Sequence, residues 1–519
     1  MAHPWDRQLW KPTAFARDTP STIARFESLD FRQATSSIVS DTLQLSRECY
    51  NPVIWLNRAY HLSLLGYPEL AAGDAHKADM LVSAKLKSID NEKSVHGSIE
   101  LADLKLTCLT QLADALTAIW ESVGLNAVCR DGLAIRPSHP ELNLLSKVAA
   151  EISEEKRRVA KSRDADRKAQ KLDVSQGFIF HEHYPFMSAK HMRRDNKAID
   201  AVKQTLQVVS SNCSLAPRTF SGPSRTQTEG FGIYAKTNIE ANTRLFDDET
   251  ILGALNADTS SPSATKGVKG PEICGNCCGC LPINSALRVK SPCCSTVYCS
   301  EHCRALALRF YHSKICGQDF KWLFGILRAT GEDDPALNGL MLLRLLSICT
   351  QHDCHPLDHP LVARLIPHLS DGQPRPWTFR DNIVNPNLIL QQLGVDIFQD
   401  LRFDTWVLQN VRHRMLPNQH GRRTASGRFL RAINSLYSFL NHSCEPNAKW
   451  YSARAGEGAT AHDSTTISVA STKPIKKGEE ICIDYRNASR ISNKAKRQAR
   501  LCSWIPGGAC ACTRCQRET

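Results

Sequence analysis

Tyr437-Ser438-Phe439-Leu440-Asn441-His442-Ser443-Cys444-Glu445-Pro446-Asn447 packs amides, an imidazole and a thiol into a turn after an apolar run. Polar groups at that density imply a ligand. Two other stretches share its character. Gly478-Glu479-Glu480-Ile481-Cys482-Ile483-Asp484-Tyr485 reads as a turn feeding a short strand that ends on a tyrosine, and Glu229-Gly230-Phe231-Gly232-Ile233-Tyr234-Ala235 reads as a strand. Glycines there let the backbone approach a ligand closely, although a tight hairpin explains the Gly-Phe-Gly signal equally well.

Cysteine spacing carries the next step. The chain has 21 cysteines in 519 residues, and most crowd into two short regions, which favours zinc over disulfides and a reducing compartment. The first region runs Cys274-x2-Cys277-Cys278-x-Cys280, Cys293-Cys294, Cys299-x3-Cys303 and His312-x3-Cys316. Paired ligands on short turns suit two tetrahedral ions, each braced by two separate knuckles. The second region, Cys510-x-Cys512-x2-Cys515, offers three thiolates and leaves a tetrahedral ion one donor short. Cys502 is a spare with a packing role.

The remaining chain is mixed. Positions 1–152 form an all-α region in which Trp55, Ala59, Gly66, Ala71, Ala75 and Ala78 resemble the tryptophan and small residues of a tetratricopeptide repeat. An ordinary helical bundle is the alternative, and either form offers a surface for partner proteins. Residues 153–215 are a charged helix and connector, read mainly as a solvated face, and His181, His183 and His191 within it receive no metal role. Short alternating strands begin near Thr228, and residues 320–420 return to helix. The formal charge of +13 biases the protein toward acidic partners, and nucleic acid is a weakly supported one. Met1–Arg7 lacks an apolar signal core, and no run reaches the ~20 apolar residues of a membrane helix. The expectation is a soluble protein of the cytoplasm and/or nucleus, with no membrane partner.

In order, the three signature stretches resemble those of SET-domain protein lysine methyltransferases, and the cysteines resemble the SET and MYND type. The resemblance covers roughly Phe220 to Cys515. It implies an α+β multidomain chain: a tetratricopeptide-like domain at 1–152, a connector at 153–215, a first SET half at 216–270 and a MYND-type finger at 271–317. A helical insert at 318–425, a second SET half at 426–490 and a post-SET zinc tail at 491–519 complete it. The resemblance further implies that the insert lines part of the cofactor and substrate cleft.

By the same resemblance, Gly230, Phe231, Gly232, Asn441 and His442 bind S-adenosylmethionine. Tyr485 orients the attacking lysine amine, and Tyr437 is a wall or second hydroxyl of the lysine channel. Cys274, Cys277, Cys299 and Cys303 hold one zinc, and His312 and Cys316 hold a second with Cys293 and Cys294, for which Cys278 or Cys280 is a substitute. Cys444 completes the third set with Cys510, Cys512 and Cys515, giving about three ions. The adjacent pair Cys293-Cys294 departs from the family, which separates those donors by two residues. The family's aromatic residue before the last cluster is replaced by Pro506-Gly507-Gly508-Ala509, so Trp504 is the nearest cover for the adenine. The implied activity is methyl transfer to a lysine of a histone or non-histone protein. The rival reading is a catalytically weak or inactive scaffold that binds peptides and partner proteins.

Overall fold

The computed structural model describes residues 31–92, 96–164, 176–180, 184, 186–192, 194, 196–221, 227–256, 272–282, 284–324, 335–366, 375–424, 428–452, 464–502, 504–505 and 509–518. The expected helical positions Ile23, Phe26 and Leu29, and the histidines His181 and His183, lie outside this set, as do Pro506, Gly507 and Gly508. No described helix is long and apolar enough to cross a membrane. The chain divides into two compact units, Met1–Met187 with Gly372–Gln409 and Ser188–Asp371 with Asn410–Thr519. The expected insert at 318–425 is therefore shared between the two units.

Among the described residues of the first unit, six helices follow one another, α1 (Phe31–Leu45), α2 (Pro52–Leu64), α3 (Pro68–Glu92), α4 (His96–Ala118), α5 (Ser122–Ile135) and α6 (Pro140–Asp164), and each packs on the next. Asn51 caps α2 by accepting from the Val53 N–H at 3.1 Å, and Pro52 starts the helix where no N–H is needed. Gly66 reverses the chain between α2 and α3 at φ +81°, a conformation that other residues reach only with strain. Trp55, Ala59, Ala71, Ala75 and Ala78 are all fully buried, so small side chains do let these helices approach. The two helices are of unequal length, 13 and 25 residues, whereas a tetratricopeptide unit fits both into about 34.

An ion cluster fixes this unit's interior. Arg58 donates to Asp74 at 2.6 and 2.8 Å and to Asp404 at 3.1 Å, and Lys77 reaches Asp404 at 3.2 Å. Both cations also lie over the Trp55 ring, at 4.8 and 4.4 Å from its centroid. Burial pushes the Asp404 carboxyl up, yet Arg58 and Lys77 outweigh it and hold it at about 2. The charged run on α6 is not wholly solvated. Lys156 is buried and donates to the carbonyls of Trp120 and Gln176.

The second unit is built from small sheets. Cys213–Ser221 pairs antiparallel with Gln227–Ala235, in a register that sets Arg218 opposite Gly230 and Ala216 opposite Gly232. Ala448–Ser452, Ile467–Ser471 and Arg244–Asp248 form a second sheet, and Gly253–Leu255, Phe429–Ala432 and His420–Arg423 a third. Asn441–His442 runs parallel to Cys482–Ile483. Residues of the first two sheets and of Cys482–Ile483, with Ile199, Val202 and Leu206 of the helix Asn196–Val209 and Phe439 and Leu440 of the turn before Asn441, make one core that includes Ile233, Phe246, Val469 and Ile483. The cysteine-rich region around Tyr298 and Tyr311 forms its own small core against Ile348.

Candidate functional site

Packing of the core brings the sequence-distant signature stretches together, and hydrogen bonds then fix each side chain. Asp248, which sequence reasoning missed, accepts from the N–H groups of Leu436 and Tyr437 at 2.7 and 2.8 Å and so holds the turn that begins the Asn-His stretch. Burial raises its carboxyl to about 6 against these stabilising bonds. Asn447 is consumed internally. Its amide donates to Glu479 and to the Glu480 carbonyl at 3.0 and 2.8 Å, and its oxygen accepts from the Cys482 N–H at 2.8 Å. Part of the polar density in that turn thus serves the fold itself.

Asn441 donates to the Phe231 carbonyl at 2.9 Å and to Glu480 Oε1 at 2.7 Å, and the same carboxylate oxygen takes Arg218 at 2.5 Å. A Cβ on Gly232 would lie 2.5 Å from Glu480 Oε1 and 3.1 Å from Asn441 Nδ2. The glycine therefore makes room for this side-chain junction, a constraint that the motif did not advertise. His442 is buried, which lowers its pKa. Its Nδ1 accepts from the Tyr485 N–H at 2.9 Å, which leaves the ring proton on Nε2, 3.3 Å from Cys444 Sγ. The imidazole is a strut between the tyrosine and the cysteine.

Tyr485 donates its hydroxyl proton to the Leu440 carbonyl. Burial first, then the Cys482 thiol, raises its pKa, so the phenol stays protonated at neutral pH. The phenol oxygen keeps its lone pairs for another donor. A cavity of about 230 Å³ opens beside it, lined by Arg218, Asn441, His442, Tyr485, Trp504 and Ala509, with backbone and side chains of the last cysteine cluster at its rim. Arg486 stacks over Trp504 at 5.0 Å. Gly230, Phe231 and Gly232 lie behind Asn441 and do not line this cavity; nor, among the described residues, does any part of the helical insert. Within the insert, Asn418 donates to the Arg414 carbonyl at 2.7 Å.

Tyr437 also stands outside the cavity lining. It packs on His420 and Trp450, with ring centroids 4.8 and 5.6 Å away, and burial followed by the nearby Tyr485 phenol raises its pKa. Arg194, unmarked in the sequence, lies over the Phe439 ring at 4.6 Å, and burial lowers its pKa to about 9.

A profile of the SET domain matches residues 230–486. This chain contains a SET domain. Histone-lysine N-methyltransferase SET5 of Saccharomyces cerevisiae is 40% identical over 81 residues, which is 16% of this chain and 13% of that protein. Its namesake in Candida glabrata is 35% identical over 83 residues, 16% of this chain and 14% of the relative, and that of Meyerozyma guilliermondii 35% over 81 residues, 16% and 15%. The matched part thus spans less than a sixth of each curated relative.

Among the described residues, three donor sets are rich in cysteine, and in each the ligand atoms lie within 4.8 Å of one another. Cys274, Cys277, Cys299 and Cys303 form the first, with sulfur separations of 3.7 Å between Cys277 and Cys299 and 3.5 Å between Cys299 and Cys303. The Asn276 N–H points at Cys274 Sγ from 3.4 Å, as suits a thiolate.

The second set contains both adjacent cysteines. Cys293 and Cys294 stand 3.2 and 3.4 Å from His312 Nε2, and Cys316 stands 3.3 Å from Cys293. Tyr298 holds the far nitrogen of His312 at 3.0 Å, orienting the ring toward the sulfurs. Cys278, the considered substitute, is buried outside the set, and Cys280 also lies outside it. In the third set Cys444 joins Cys510, Cys512 and Cys515, at 4.0 and 3.6 Å from Cys510 and Cys515, and its own N–H points at Cys512 Sγ from 3.4 Å. Four thiolates in the first and third sets, and three thiolates with one imidazole in the second, fit tetrahedral zinc in so small a volume.

A fourth set, His191, His355 and Asp358, contains no cysteine. In the sequence His191 is one of several scattered histidines with no metal role, and its two partners lie far along the chain.

Proposed function

We propose that the chain is a protein lysine N-methyltransferase that uses S-adenosylmethionine and acts on a lysine of a histone or another protein. The observation that carries this reading is the convergence of Asn441, His442, Tyr485 and the Cys444 cluster on one cavity. The SET domain match and the histone-lysine methyltransferase relatives support it.

When bound, the cofactor supplies a methyl group on a sulfonium, open to in-line displacement by a neutral amine. Asn441 and Arg218, which line the cavity, are the groups that would hold it, and Glu480 fixes both of them. Arg218 offers its positive charge to the carboxylate of an amino-acid moiety, and Glu480, paired with it at 2.5 Å, tempers that charge. Trp504 offers the flat apolar cover expected over an adenine. Tyr485, its proton committed to Leu440, aims an oxygen lone pair that fixes the incoming amine, and the phenol does not act as a base at neutral pH. Tyr437, with His420 and Trp450, is assigned to the wall of the amine channel.

His442 positions Tyr485 through its backbone and communicates with the Cys444 zinc site. The region 271–317 is read as a MYND-type finger, 491–519 as a post-SET tail, and the first unit's helices as a tetratricopeptide-like partner surface. Calorimetry with S-adenosylmethionine tests the core of this reading. Binding is expected in the wild type and in Tyr485→Phe, with methyl transfer to a mixed protein substrate reduced in the variant. A folded wild-type protein that gives no binding heat would leave the scaffold reading in its place.

A further inference from the structure

We infer that His191, His355 and Asp358 form a binding site for a divalent transition-metal ion, separate from the three cysteine clusters. After the helix Pro335–Gln351 the chain turns through His352-Asp353-Cys354-His355-Pro356-Leu357-Asp358-His359. That turn brings His355 and Asp358 against His191, which is 167 positions before Asp358. His191 Nε2 lies 2.8 Å from Asp358 Oδ1. The rings of His191 and His355 are parallel within 10°, with centroids 5.0 Å apart, and one ligand atom from each of the three residues falls within 4.8 Å of the others.

Two imidazoles and one carboxylate suit zinc, cobalt or nickel. Calcium and magnesium call for all-oxygen shells. An ion would take the place of the hydrogen shared between His191 and Asp358. His355 is held by the Leu357 N–H, 3.2 Å from its Nδ1. Ligation through the other ring nitrogen moves the proton to Nδ1 and gives up that contact.

The surroundings set the strength of the site. Lys190 donates to the second oxygen of Asp358 at 2.9 Å, and Arg414 donates to the His191 carbonyl. These two cations oppose a third positive charge, and the ligands carry a single negative one. Binding is therefore weaker than at the thiolate sets, and a chelator empties this site first. An ion here would clamp the 190–191 segment to the 355–358 turn within the second unit.

The test is a titration of full-length protein, its cysteine sites already loaded with zinc, with Co2+. One further equivalent is expected, giving the d–d absorption of nitrogen and oxygen ligation without a thiolate charge-transfer band. His355→Ala and Asp358→Asn should each abolish it. Lys190→Ala should tighten it about fivefold, as expected when a partly exposed competing ion pair is removed. Asp358 is exposed, so its variant keeps the test open if His355→Ala fails to fold. The proposal is overturned if no further equivalent binds, if uptake brings the thiolate band of exchange at the cysteines, or if uptake survives both ligand substitutions.

Discussion

Glu480→Gln is the sharpest single perturbation of the candidate site. One carboxylate oxygen accepts from Asn441 at 2.7 Å and from Arg218 at 2.5 Å, and the Glu480 and Arg218 side chains are 18% and 25% exposed. Glutamine keeps the shape and an acceptor oxygen but loses the charge. A bond to a charged group contributes roughly 1.5–3 kcal/mol and a neutral one roughly 0.5–1.5, so about 1–2 kcal/mol of stability should go after allowing for solvent screening. Asn441 retains the Phe231 carbonyl, which limits the loss.

The electrostatic consequence is larger for the ligand than for the fold. With Glu480 neutral, Arg218 leaves the cavity net positive, and a cationic sulfonium is disfavoured relative to a neutral thioether. The expected result is about tenfold weaker binding of S-adenosylmethionine, with S-adenosylhomocysteine affected several-fold less. Calorimetry with both ligands and a denaturant melt measure the two effects. Unchanged affinity for both ligands in a fully folded variant would show that this junction does not face the cofactor.

Arg58→Met should destabilise the first unit by roughly 3–5 kcal/mol, because Asp74 and Asp404 are left buried without their main counter-ion; urea unfolding reads this directly, and a loss under about 1 kcal/mol would contradict the assigned cluster. Asp248 has a folded pKa of about 6, above its ordinary 3.8, so its ionised form costs stability above pH 6, on the order of 3 kcal/mol, and that cost fades as pH falls toward 4. Asp248→Asn should therefore gain relative to wild type at pH 7.5 compared with pH 4.5 in paired melts, and a pH-independent difference would refute the assignment. Elemental analysis after exhaustive dialysis should find about three zinc ions retained per chain, and one or none would overturn the cysteine assignments.

What the sequence announces and what it conceals divide along physical lines. Cysteines at short spacings have few other uses, and the structure gathers Cys274, Cys277, Cys299 and Cys303 with no outsider. Adjacent cysteines look awkward on paper, yet Cys293 and Cys294 both reach His312 because Tyr298 turns that ring toward them. Buried alanines and Trp55 marked the close helix pair, since small size at helical spacing has one obvious purpose. Arg58 and Asp404, by contrast, are 346 positions apart, and each alone reads as an ordinary surface charge. Glu480 was hidden in the same way, as one of two adjacent glutamates whose partner Arg218 belongs to a strand without any motif. The family pattern alone places the insert at the cleft, and nothing in its own residues indicates that 372–409 joins the first unit.

Cys444 holds two offices at once, as the fourth donor of the tail cluster and as the sulfur against which His442 rests. If Tyr485 acts as proposed, a modest oxidant or an electrophile that strips those thiols would disable it without approaching the phenol. Thiolate character makes such sulfurs the first to climb the oxidation ladder. On the proposed function, release of that cluster would leave the imidazole without its backing, so the redox state of four sulfurs would be coupled to methyl transfer.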